Sequence, residues 1–120
     1  MKFLVASSVL LKQISAINGV VASNPIIPIL ENILVELEGN QLTLTASDLQ
    51  TVMTTTLDVE GAENGSIALP ARLLLETLRS LPEQPVTISA DQGTFGAEIS
   101  TQNGRFKLSG ENPIDFPRIP

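Results

Sequence analysis

The sequence predicts an α+β domain in which one β-α-β-β-β plan is laid down twice, with two helices packed against antiparallel sheets. Three observations predict it. Apolar residues alternate between a spacing of two and a helical spacing, the switches fall in the same order in both halves of the 120 residues, and Gly, Asn and Pro punctuate each change. Internal duplication at this level needs only matching element order, because identity between the halves is slight.

Residues 2 to 6 read as a short strand, and from Ser8 the apolar positions become Leu10, Leu11, Ile14 and Ile17, one helical stripe closed by Asn18-Gly19. The Ser7-Ser8 pair stands where a strand hands over to a capped helix. Val20 to Pro28 is expected to be a loop, since Asn24-Pro25 and Pro28 discourage helix. Ile33, Val35 and Leu37 alternate up to the turn Gly39-Asn40, and Leu42, Leu44 and Ala46 alternate on the return strand. A third run, Thr51 to Val59, is expected to carry Met53, Thr55, Leu57 and Val59 on one face.

The second half repeats the order. Ser66 to Leu69 is a short strand, Pro70 stands at a helix start, and Ala71, Leu74, Leu75, Leu78 and Leu81 form a stripe stopped by Pro82. Val86, Ile88 and Ala90 lead to the turn Asp91-Gln92-Gly93; Phe95, Ala97 and Ile99 lead to Asn103-Gly104; Phe106 and Leu108 close the set. The expected domain is therefore 1–110, with halves of about 1–60 and 65–109. Residues 111–120, with three prolines in the stretch from Gly110, are expected to be a linker rather than a packed end.

Composition narrows the function. Hydrophobic residues make up 42% of the chain, and folding at this size removes about 12,000 Å² from water, so no disulfide or metal staple is required. Seven Lys+Arg against 13 Asp+Glu leave a net charge of −6, which repels phosphate at long range, so any nucleic-acid contact must come from a local basic face. There is no Cys and no His, which removes thiolate chemistry, the commonest general base and the usual partner of a serine nucleophile. An enzyme is not expected. Met1-Lys2 and the apolar run to Leu11 imitate a secretory leader, but Lys12 and Gln13 end the run and no A-x-A signal follows, so the cytoplasm is expected. The sequon Asn64-Gly65-Ser66 reads as a turn. Asp48, Asp58 and Glu60 lack the oxygen-ligand spacing of a calcium site and read as surface carboxylates, and no Gly-rich turn fits a nucleotide cofactor. No cofactor is expected.

Helix geometry singles out three cations. At 100° per residue, Lys12 lies roughly opposite the first stripe, and Arg72 and Arg79 lie about 20° apart on the outer side of the second helix with Glu76 between them. Two readings of them stand: a solvated surface with spaced ion pairs, or a sparse track for a phosphate backbone. In the last strand Phe106 and Leu108 alternate with Arg105 and Lys107; here too core packing and a protein interface both remain open.

A series of short strings in a fixed order now carries a resemblance. These are Met1-Lys2-Phe3, Leu10-Leu11-Lys12, residues 25–32 (PIIPILEN), residues 42–49 (LTLTASDL), Leu69-Pro70-Ala71-Arg72, Leu81-Pro82, residues 104–108 (GRFKL) and Asp115-Phe116-Pro117. Along its whole length the chain resembles the first domain of the bacterial DNA polymerase III β subunit, the replicative sliding clamp.

The resemblance implies a DNA-clamp domain, with helices lining the hole of a head-to-tail ring around duplex DNA and strands outside. It implies backbone contacts without sequence preference and no catalysis. Residue by residue, Arg72 matches a DNA-contact position, while Asn24 stands where the best-known members have Arg and offers a hydrogen bond without the charge. Lys12 and Arg79 are additions from helix geometry. Arg105, Phe106 and Leu108 match the dimer contact. The family carries two further domains, so a second clamp chain, the polymerase and the clamp loader are implied as partners through parts these 120 residues do not contain, and no membrane is implied. A standalone interaction module using the edge Arg105 to Leu108 is the rival reading; metal-dependent hydrolysis is a third.

Overall fold

The computed structural model describes residues 1–21 and 27–117. Among them nine strands and two α-helices run in the order β1 (Lys2–Ala6), α1 (Ser7–Ile17), β2 (Asn32–Glu38), β3 (Gln41–Ser47), β4 (Val52–Asp58), β5 (Glu60–Glu63), β6 (Gly65–Pro70), α2 (Ala71–Arg79), β7 (Pro85–Ala90), β8 (Gly96–Thr101) and β9 (Gly104–Ser109). One sheet has the order β5-β1-β7-β8-β9 and the other β4-β3-β2-β6. All pairings are antiparallel.

The doubled plan is present, but the halves exchange their first strands. β1 pairs with β7 of the second half, and β6 pairs with β2 of the first. Alternation tells which face of a strand is buried and is silent on its neighbour, so this exchange could not be read from spacing. Its consequence is cooperative: each sheet is completed by the other half. Aligned pairs such as Phe3 with Ile88, Val35 with Leu44, and Ile99 with Phe106 place apolar side chains on one face. Leu10, Ile14 and Ile17 of α1 meet Leu74, Leu75 and Leu78 of α2 and both sheets in one core. Burying each such side chain contributes about 1.5–3 kcal/mol, which is what holds two helices too short to persist alone.

Three expectations are corrected and one is refined. Ser7 does not cap α1: Ala6 is the N-cap residue, and the buried Ser7 hydroxyl instead accepts from the Gln84 N–H at 3.1 Å, tying α1 to the start of β7. β4 does carry Met53, Thr55 and Leu57 on one face, opposite Ala46, Leu44 and Leu42 of β3, but as an edge strand it is buried only toward its end, at Leu57 and the following Val59, while Met53 is 39% exposed and Thr55 donates a hydrogen bond to Gln13 of α1. β5 was not expected, because Glu60, Gly61, Ala62 and Glu63 are all exposed and show no alternation. A Cβ at Gly61 would sit 1.7 Å from the Gly39 carbonyl oxygen, so this close crossing requires glycine.

The last correction concerns the tail. Gly110 squeezes between the Phe95 and Ala68 carbonyls, where a Cβ would approach both within 3 Å, and Glu111 then forms two backbone bonds with Ala68 of β6 at 2.9 and 3.2 Å. A single 3-10 turn at Pro113–Asp115, capped by the Asn112 side chain, delivers Phe116 against Leu30 and Leu34, where it is 3% exposed. Pro113 opens the turn, and the path through residue 116 is packed rather than a free linker. Among the described residues no helix is long and apolar enough to cross a membrane.

Candidate nucleic-acid interface

Because α1 and α2 pack against each other and bury their stripes in a common core, their opposite faces form one exposed helical side. Lys12 lies on that side of α1 with Ser8, Ser15 and Ala16; Arg72 and Arg79 lie on that side of α2 with Leu73 and Glu76. The structure therefore brings the three helix cations onto exposed faces of adjacent helices. Asn24 lies outside the described residues.

The charge is unevenly divided. The two helices carry Lys12, Arg72 and Arg79 against a single carboxylate, Glu76, whereas the rest of the chain carries four cations against twelve carboxylates. An acidic protein thus keeps all but one of its acids off these two helices, and a local basic face is what a net charge of −6 demands if phosphate is to be met at all. The signal was present in the residues: α1 contains no acid, and α2 contains one. Arg72 pairs with Glu76 through Nε at 3.1 Å, with the side chains 90% and 56% exposed. Among the described residues Lys12 and Arg79 make no ion pair.

The second region is the edge strand β9. Arg105 is exposed and lies 3.5 Å from Glu98 of β8, and Lys107 stands opposite Glu98 in the register. Phe106 is half-buried against the core. Leu108 is 6% exposed, so it supports the edge from inside and offers little surface of its own. In the other sheet the edge strand β4 packs beside α1 as β9 packs beside α2.

The carboxylates have structural occupations. Asp48 Oδ1 accepts from the Gln50 and Thr51 N–H groups, and Asp91 Oδ1 from those of Gly93 and Thr94. These donors hold both carboxyls below the ordinary aspartate value, Thr51 contributing most to the first and Gly93 to the second. Among the described residues no three Asp or Glu side chains gather to hold a metal ion. Asn64 of the sequon accepts from the Gly39 N–H at 2.8 Å.

Two helices are thus backed by two antiparallel sheets, with the edge strands β4 and β9 beside them. Residues 1–120 match the family model described as DNA polymerase III beta subunit, N-terminal domain, and the chain belongs to that family. It is 35% identical over 120 residues to the β sliding clamp of Vibrio cholerae, covering 99% of this chain and 32% of that protein. It is 33% identical to that of Synechocystis, again covering 32% of the relative. Among solved structures, the DNA polymerase sliding clamp of Caulobacter crescentus superposes with a TM-score of 0.94 at 31% identity, over all of this chain and 33% of that one. The DNA polymerase III subunit β of Pseudomonas aeruginosa gives 0.93 at 33%, over 32% of its length. The chain spans about a third of these relatives.

Proposed function

We propose that this chain is the first domain of a replicative sliding clamp, which encircles duplex DNA as a head-to-tail ring and tethers the polymerase without catalysing a reaction itself. Family membership together with the concentration of exposed helix cations on an otherwise acidic molecule carries the reading. Lys12, Arg72 and Arg79 are assigned to the phosphate backbone, and Asn24 to an uncharged contact beside them. A closed ring loses DNA only by opening, so each contact can be weak and blind to sequence, and the ring slides.

Arg105 and Phe106 are assigned to the contact with a second chain, with Leu108 bracing them from the core. Polymerase and loader are assigned to regions beyond these residues, as are the two further domains, and the setting is cytoplasmic. The rival, a standalone module binding through β9, is not favoured by the family match, and it leaves the partition of charge without a use.

The test is binding of this chain to linear duplex DNA. With one to three cations facing phosphate, affinity is feeble and the salt slope shallow, each contact contributing about 0.9. Nanomolar affinity for linear DNA at physiological salt contradicts the reading. Reading the gene beyond codon 120 tests the ring: two more copies of the doubled plan support it, and a stop codon opposes it.

A further inference from the structure

Glu76 is the single acidic residue on either helix, among 13 in the chain. Its position is not arbitrary with respect to the site. It lies one turn beyond Arg72, between Arg72 and Arg79 on the exposed face, and its Oε1 accepts from Arg72 Nε at 3.1 Å. That bond uses one edge of the guanidinium and leaves both terminal nitrogens free to donate.

Resting on the reading of Arg72 as a phosphate contact, we propose that Glu76 is a tethered counter-charge that sets how strongly Arg72 holds DNA. It does two opposed things. The hydrogen bond at Nε restrains a long side chain and aims its free nitrogens outward, which favours contact. The carboxylate also places a negative charge within one side-chain length of the incoming phosphate, which disfavours it. At an exposed pair the restraint is small, so the repulsion prevails. The chemistry suits a contact that must be released at every step: the guanidinium always has a second anion to return to, so leaving a phosphate does not leave it unpaired.

Glu76→Gln separates the two effects, because the amide oxygen still accepts from Arg72 Nε while the charge is gone. Measured with this chain and a linear duplex at several salt concentrations, Glu76→Gln tightens binding about threefold at low salt and steepens the salt slope by up to about 0.9, since Arg72 then meets phosphate with its full charge. In an Arg72→Ala background the same substitution has a smaller effect.

An unchanged or weakened affinity in Glu76→Gln overturns the tether, as does equal tightening with and without Arg72, which marks a diffuse charge effect. The underlying reading fails separately. If Arg72→Ala alone leaves binding unchanged, the contact assigned to Arg72 falls and takes the tether with it; if Arg72→Ala weakens binding and Glu76→Gln does not tighten it, only the tether falls. Far-ultraviolet circular dichroism of each variant verifies that α2 is retained.

Discussion

α1 and α2 hold equivalent places in the two halves, each following a short strand and each packed beside a free edge, yet they differ in how the outward face is charged. α1 shows one lysine among serines and alanine; α2 shows two arginines with a glutamate between them. Their inward faces are alike, apolar apart from the buried Ser7 at the start of α1, and both are part of one core. Packing therefore constrains the inner stripe of each helix to the same character, while the outer face is free to diverge. Function is to be sought in that divergence. The two edges differ in the same way: β9 alternates cations with a half-buried Phe106, whereas β4 shows threonines with exposed Val52 and Met53.

The largest effects test the likeness of the two halves. Ile14→Ala and Leu74→Ala each empty a fully buried site and cost about 3 kcal/mol. Because β1 and β6 are exchanged between halves, both variants lower the midpoint of one shared unfolding transition in urea. Two separate transitions would show that the halves are independent.

A somewhat smaller effect separates the edges. In a protein that continues through the further domains, Phe106→Ala weakens the contact between copies by about 2 kcal/mol, as a central anchor does. Met53→Ala on the opposite edge leaves it unchanged. Sedimentation at falling concentration reads both, and unaltered dissociation in Phe106→Ala removes the interface from β9. Smaller again are the helix cations. Lys12→Ala and Arg79→Ala each lower the magnitude of the DNA salt slope by about 0.9 if each meets one phosphate, and a slope that does not move excludes that residue from the contact.

The smallest effect is local and depends on pH. The folded carboxyls of Asp48 and Asp91 lie below the ordinary 3.8, so the stability they give their turns is present above that value and is lost as pH falls through the lower folded values. Amide resonances of Thr51 and Gly93, followed by NMR down the acid range, titrate with midpoints below 3.8. A midpoint at or above it contradicts the hydrogen bonding described for these turns.

Much of this molecule was legible before its structure. Leu10, Ile14 and Ile17, and Leu74 and Leu78, announce two helices because one stripe must face the core, and Leu42, Leu44 and Ala46 announce a strand because alternate residues must. What escaped has a physical reason in each case. β5 carries no buried side chain, so nothing apolar marks it. The packed tail is held by backbone bonds from Glu111 and by one aromatic, Phe116, which a proline-rich stretch hides. The outward placement of Lys12, Arg72 and Arg79, with Glu76 between the two arginines and spaced to pair with them, followed from helix arithmetic, but spacing alone did not show that the Glu76 oxygen reaches Arg72 Nε. Leu108 could be read as edge or core, and contacts across the whole fold decided for core.

The central claim is that DNA meets the helical side of this domain and not its sheets. It is tested most directly by adding two linear duplexes of unrelated sequence to isotope-labelled protein at low salt and mapping the amide resonances that move. The account predicts shifts confined to α1 and α2, centred on Lys12, Arg72 and Arg79, the same for both duplexes and fading as salt is raised. Shifts centred on the outer face of β8 and β9, or a pattern that changes with the DNA sequence, would contradict it.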